Sequence, residues 1–272
     1  MSYLLALKAD NVGRIAVSSF LVCEGKLEEL KMNAAIVLAG GVGMRLGARI
    51  PKQFIEVIGK PLIVYTLERF ENHPEISTIE VVCHEDYIEH AWSLVERYGL
   101  SKVKWIVPGG DTFQDSVANG VQGLEGRCAD ADIVLVHYAD CPLVSADVIS
   151  DAIRVAAAHD CASPAMSSID LTCERTDDDH SSKMIDRDDV MCLQAPLAMR
   201  YRFAKWVYEE GERSGLLERV EPHTQSLIVA LGAKIWFSKN SRLNFKITTK
   251  EDMALFEAWV MREKALGDGK GD

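Results

Sequence analysis

The feature that most constrains this chain is an apolar run, Ala34-Ala35-Ile36-Val37-Leu38, that opens directly into Ala39-Gly40-Gly41-Val42-Gly43-Met44-Arg45-Leu46-Gly47. The run has the length and composition of a buried parallel strand. Glycines tolerate positive φ and let the backbone approach closely, so the loop after the strand can turn its N–H groups around an anion. Arg45, and Lys52 of the segment Pro51-Lys52-Gln53-Phe54, set two cations beside that nest. Strand, glycine turn and paired cations together predict a polyphosphate site. Two familiar phosphate loops are excluded: no Gly-Lys-Ser/Thr triplet succeeds the glycines, and Leu46 stands where the dinucleotide fingerprint needs its last glycine. A glycine turn alone serves geometry in many α/β proteins. Arg45 and Pro51-Lys52-Gln53 give this one its chemistry.

Further apolar runs at 79–83, 103–107 and 133–137 predict strands, and helical spacing predicts helices over 61–72, 86–98, 113–124 and 146–159. Strands alternating with helices imply an α/β fold, a Rossmann-like doubly wound and mostly parallel sheet that binds ligands at the carboxyl ends of its strands. The glycine loop, the turn Pro108-Gly109-Gly110-Asp111 and the residues after His137 all fall at such ends, which predicts one composite site. Between 163 and 194 the pattern breaks into a polar stretch crowded with Asp177, Asp178, Asp179, Asp186, Asp188 and Asp189, the usual composition of a solvated loop. Helical spacing resumes over 199–213, 224–231 and 250–263, and 264–272 reads as a flexible tail.

A net charge of −11 argues against general nucleic-acid binding, although local cations can still focus the field on an anionic ligand. No apolar run approaches the ~20 residues of a membrane span. Seven cysteines lie scattered without a C-x-x-C pair, which fits neither a zinc site nor a disulfide framework and points to a reducing cytoplasm. Residues 1–32 differ in character from the rest of the chain, and Met32 stands immediately before the first strand. The reading there is an upstream, misassigned start, with a partner-binding arm as the alternative, and no chemistry is assigned to it.

The pattern G-G-x-G-x-R-x-G, then P-K-Q-F, then Gly59-Lys60-Pro61 resembles the cytidylyltransferases that act on polyol phosphates, the 2-C-methyl-erythritol 4-phosphate and ribitol 5-phosphate enzymes. The resemblance runs from about residue 33 to about residue 259. It implies transfer of CMP from CTP to a polyol phosphate, with Mg²⁺ as cofactor, in a homodimer whose arm, here about 165–195, reaches the neighbouring site. It assigns nucleotide contacts to Ala39, Gly40, Gly41 and Gly43, and phosphate contacts to Arg45 and Lys52. The segment Gly109-Gly110-Asp111 with Ser116 resembles the family's cytosine-reading turn, although Asp111, Asp115, Ser116 and Asn119 also suit a polar helix start. Asn244-Phe245-Lys246-Ile247-Thr248, a β-like run, resembles the segment whose lysine contacts phosphate, and Arg187 resembles the arm arginine that reaches the partner's substrate.

The chain departs from the family at His137-Tyr138-Ala139-Asp140-Cys141-Pro142, where the usual pattern is H-D-A-x-R-P. Tyr138 and Cys141 replace an aspartate near the metal and an arginine near the polyol phosphate, and Asp140 is the candidate replacement ligand. His223-Thr224-Gln225 likewise lacks the acidic pair of the family's T-D-E/D segment. Three readings result: a cytidylyltransferase for one of the two polyol phosphates, one for a different sugar phosphate, and a relative that binds nucleotide without turning over. Each is compatible with the absence of a Ser-His-Asp or Cys-His motif, because an ionised phosphate needs no general base to attack an α-phosphorus.

Overall fold

The structure, a computed structural model, describes residues 32–41 and 50–268. Gly43, Arg45, residues 1–31 and residues 269–272 lie outside the described residues. Strand β1 (Asn33–Ala39), buried along its whole length, runs through the middle of an eight-stranded sheet. On one side it pairs in parallel with β4 (Thr78–Cys83), and β4 pairs with β5 (Val103–Pro108). On the other side it pairs in parallel with β6 (Ile133–Tyr138). β11 (Leu197–Arg200) then adds antiparallel to β6 and leads to β7 (Cys161–Ser167), which also carries β10 (Met191–Leu193) and β12 (Trp236–Ser238). A minor hairpin, β2 (Glu56–Val57) with β3 (Lys60–Pro61), precedes the first helix.

The continuous apolar composition of β1 comes from having both faces covered. Ala35, Val37 and Ala39 face a core built with α1 (Leu62–Glu71), α2 (Ile88–Tyr98) and α4 (Ala146–His159). Ala34, Ile36 and Leu38 face α3 (Phe113–Gly123), α5 (Tyr201–Ser214) and α6 (Thr224–Ala230). A third cluster seats α7 (Lys250–Asp268) through Phe256 and Val260 against Val57, Leu62, Tyr65 and Ile247. Chain order reverses between β1 and β6, the switch point at which such sheets open a crevice beyond their carboxyl ends.

Helix α3 lies unusually close to the sheet. A Cβ added to Gly120 would stand 2.7 Å from Ile36 Cγ2 and 2.9 Å from Val82 Cγ2, both on β-branched strand residues that cannot swing away. Gly120→Ala is therefore expected to destabilise the fold by about 1–3 kcal/mol despite alanine's better helix propensity. A shift in the urea midpoint at unchanged slope checks it. One turn on, Gly123 covers Glu80, whose carboxylate is fully buried (0 % exposed), accepts no hydrogen bond and has Arg127 3.7 Å away. Burial raises the Glu80 pKa to about 8, with Arg127 opposing the shift.

Strands β1, β4, β5 and β6 and the first four helices stand where periodicity puts them, with a 3₁₀ turn at Glu85–Tyr87 before α2. Four expectations are corrected. The helix expected over 199–213 begins at Tyr201, and Met199 belongs to β11, because the buried strand runs straight into the helix, with Arg200 at the junction. The stretch 163–194 is not simply loop: β7 continues to Ser167, β8 (Thr172–Glu174) and β9 (Lys183–Ile185) form an exposed hairpin, and β10 returns to the sheet. Lys246 lies on irregular backbone, not in a strand. α7 extends to Asp268, so 264–268 of the expected tail is helical.

Candidate active site

The crevice at the β1–β6 switch point is a cleft of about 510 Å³. It is lined by Ala39, Gly40 and Gly41 from the end of β1, Lys52 and Gln53, Gly110, Asp111 and Ser116, Tyr138 and Asp140 from the end of β6, and Lys246 and Thr248. A larger cavity of about 700 Å³ opens between α1 and α7, bordered by Tyr65, Arg69 and Trp259, and contains Gly59 and Lys60 but none of the predicted site residues.

Each wall of the cleft is fixed by local chemistry. Gln53, buried in a 3₁₀ turn (Lys52–Phe54), donates its amide to the Ala39 carbonyl and, at 3.0 Å, to that of Gly41, tying down the start of the glycine loop. The opposite wall is the start of α3. Thr112 Oγ1 accepts from the Asp115 N–H at 3.1 Å while Asp115 Oδ2 accepts from the Thr112 N–H at 3.0 Å, a capping box. Ser116 Oγ accepts from the Gly110 N–H at 3.1 Å and donates to the Thr112 carbonyl at 3.0 Å, so it sets the turn as well as lining the cleft. Gly110 has no room for a side chain, since a Cβ would fall 2.2 Å from Asp115 Cβ.

The floor joins distant parts of the chain. Lys52 Nζ lies 2.6 Å from Asp140 Oδ2 and donates to the Ile247 carbonyl, while the Ile247 N–H donates to the Asp140 carbonyl at 2.9 Å. Lysine, aspartate and the Ile247 peptide thus close a ring. Asp252, in the first turn of α7, accepts from the N–H groups of Thr248 and Thr249, each at 2.8 Å, and holds the segment that carries Lys246. Lys246 Nζ sits 4.1 Å from the centroid of the Tyr138 ring.

Two side chains at the end of β6 are structural. His137 is fully buried, its Nε2–H donates to the Cys141 carbonyl at 3.0 Å, and burial lowers its pKa to about 4, so it is neutral. Burial likewise pushes the Cys141 thiol well above its usual range, so it is not a thiolate nucleophile.

The structure thus brings Ala39, Gly40, Gly41, Lys52, Gly110, Asp111, Ser116, Asp140 and Lys246 to one cleft. Gly109 stands one residue behind the lining, its N–H bonded to the Cys83 carbonyl at 2.8 Å. Arg187 does not reach the cleft of its own chain and occupies an exposed turn (Arg187–Asp189) on the arm. Sequence reasoning gave no role to Gln53, Phe113 or Thr248, which also line the cleft. Gln53 and Thr248 carried a signal, their places in P-K-Q-F and in Asn244-Phe245-Lys246-Ile247-Thr248, whereas Phe113 carried none.

The chain matches the IspD family, 2-C-methyl-D-erythritol 4-phosphate cytidylyltransferase, over residues 33–262. It is 37% identical over 235 residues to a ribitol-5-phosphate cytidylyltransferase of Lacticaseibacillus paracasei, covering 86% of this chain and 100% of that one. It is 31% identical to a 2-C-methyl-D-erythritol 4-phosphate cytidylyltransferase of Clostridium botulinum, covering 84% and 97%. Among solved structures, a 4-diphosphocytidyl-2C-methyl-D-erythritol synthase from Anaerococcus prevotii superposes with a TM-score of 0.72 at 24% identity, covering 86% of this chain and 100% of that chain, a likeness of fold. With a cleft of about 510 Å³ at the sheet's switch point, two lysines facing into it, and a family match that runs from β1 into α7, the chain belongs to the IspD family of cytidylyltransferases.

Proposed function

We propose that the chain transfers CMP from CTP to a polyol phosphate, releasing pyrophosphate. The observation that carries this reading is the pairing of Lys52 and Lys246 in one cleft with the Gly110–Ser116 turn. Ribitol 5-phosphate is the leading acceptor, because the relative named for it is matched along its full length at the higher identity, and 2-C-methyl-D-erythritol 4-phosphate is the second.

In this reaction an ionised oxygen of the acceptor phosphate attacks the α-phosphorus of CTP. The new P–O bond forms as the bridging α–β P–O bond breaks, and pyrophosphate leaves with the electron pair. No base is required, so neutral His137 and protonated Cys141 are no obstacle. The demand is to gather two anions and stabilise charge on the transferring group, which Lys52 and Lys246 meet, with Arg45 on the glycine loop as a third cation. The Gly110–Asp111 turn, shaped by Ser116 and backed by Gly109, would offer backbone groups to a pyrimidine edge.

The residues present fit a magnesium ion. Mg²⁺ characteristically takes only one or two carboxylates and completes its shell with water and substrate phosphate. Asp140 is a carboxylate facing the cleft, held by Lys52 at 2.6 Å. Asp140 would hold the ion, with Lys52 turned to the triphosphate. Bound there, the ion would supply a further positive charge on the phosphate oxygens.

The arm supports a homodimer in which Arg187 serves the partner's acceptor site. Ile169, Leu171 and Met184 are 56%, 83% and 64% exposed, apolar surface that a second copy would cover. A reducing cytoplasm remains the proposed compartment, supported by the scattered cysteines.

The test is pyrophosphate release by the purified protein with CTP and Mg²⁺, offered ribitol 5-phosphate, 2-C-methyl-D-erythritol 4-phosphate or no acceptor, with UTP and ATP as controls. Release with CTP and one acceptor is expected. Silence with both acceptors, in protein that binds CTP, overturns the polyol-phosphate reading and leaves a different sugar phosphate or a non-catalytic relative.

A further inference from the structure

Tyr138 stands where the resembling enzymes carry an aspartate, and the structure shows what the tyrosine does instead. Its half-buried ring lies at the carboxyl end of β6, between the main cleft and a second pocket of about 360 Å³ that includes Gln194, Glu221, His223 and Ser226. Tyr138 and Lys246 line both cavities. Phe113 braces the ring from the α3 side at 5.7 Å between centroids, and is itself 5.3 Å from the His223 ring. The Lys246 ammonium rests on the Tyr138 face, 4.1 Å from its centroid.

We propose that Tyr138 is a positioning residue that seats the Lys246 ammonium at the junction of the two cavities through its aromatic face. The inference rests on the CMP-transfer reading, and it says why that reading survives the loss of the family aspartate. A ring face attracts a cation through its quadrupole without neutralising it. A carboxylate at this position would pair with Lys246 and spend its charge on the protein. The aromatic seat leaves the full charge for phosphate oxygens arriving from either side. The second pocket also sets an orientation: Glu221, held by His223 Nδ1 at 2.5 Å and Ser226 Oγ at 2.9 Å, presents negative charge, so an anionic group entering there is drawn toward Lys246.

The proposal requires that Tyr138 act through Lys246. Tyr138→Leu, an apolar filler without a π face, is expected to lower kcat about tenfold or more with little change in the KM for CTP, and Tyr138→Phe to retain most of the activity. In a Lys246→Met background Tyr138→Leu is expected to cost nothing further. An equal loss in both backgrounds, or a loss in Tyr138→Phe matching that of Tyr138→Leu, overturns it. A second readout is independent of turnover. After reductive ¹³C-methylation of the lysines, the Lys246 methyl resonance, assigned by its absence in Lys246→Met, is expected to be shifted upfield by the ring current. The shift should persist in Tyr138→Phe and vanish in Tyr138→Leu. If it is missing in the unmutated protein the seat does not exist, whatever the activity. If it is present while every acceptor fails, the seat stands and the transfer reading falls.

Discussion

Lys52→Ala is expected to reduce kcat for CMP transfer by about 10²–10³-fold, the scale on which a preorganised charge at a transition state acts. The structure makes this lysine hard to replace. Its ammonium is fixed from two directions, by Asp140 at 2.6 Å and by the Ile247 carbonyl, so it is positioned before substrate arrives. The side chain is 12% exposed, and the cleft walls keep its charge from being diluted by bulk water. Removing it also leaves Asp140 without its cation, where it would repel the triphosphate. Steady-state kinetics with CTP and the active acceptor check the loss, and a thermal melt close to that of the unmutated protein shows the fold is intact. Turnover within a factor of a few would remove Lys52 from the mechanism.

The second large effect concerns stability. Glu80 has a folded-state pKa of about 8 against 4.5 for a free side chain, and burial is the cause. Between those values the folded protein holds a proton that the unfolded chain has released. The contribution is therefore fully present below pH 4.5 and is lost as pH rises through about 8, at up to about 1.4 kcal/mol per pH unit. His137 works in the opposite sense: its pKa is lowered from 6.5 to about 4, so its contribution is present above pH 6.5 and lost as pH falls toward 4. Comparing variants separates the two. Glu80→Gln should flatten the alkaline side, so that the stability difference between variant and unmutated protein grows in the variant's favour by a few kcal/mol between pH 5 and pH 9. Urea midpoints at pH 5, 7 and 9 measure it, and a difference that does not change with pH would show that Glu80 keeps an ordinary carboxylate pKa.

What the sequence revealed of this fold, and what it hid, divides along the range of the forces involved. β1 and β6 were legible because burial on both faces forces a near-continuous apolar run, and β4 and the edge strand β5 because only Glu80 and Lys104 interrupt theirs. The helix packed after each showed its stripe. β11 was hidden because Leu197–Arg200 runs into α5, and its identity as a strand comes from pairing with Val136 through Ile133, which no local pattern records. The hairpin of β8 and β9 was masked by the aspartates at its tip. Within the site, Lys52, Asp140 and Lys246 were found through motifs. The ring that joins Lys52, Asp140 and the Ile247 peptide was not, because it depends on backbone groups that every residue possesses. Glu80 gave no sign of its state: a single carboxylate in an apolar strand reads the same whether it faces water or lies beneath a helix.

The bond from Lys52 to the Ile247 carbonyl spans 195 positions of sequence. A ribosome makes the chain from the other end, so the glycine loop, the Gly110 turn and the end of β6 are all outside and able to fold while one edge of their shared cleft is still untranslated. Asp140 and Lys52 can meet early, but their third partner, and Lys246 beside it, arrive only with the last helix. Nucleotide therefore gains its full set of cations only once the last helix has docked. Any variant that slows the docking of α7 should show its defect first as a lag before newly made protein binds CTP.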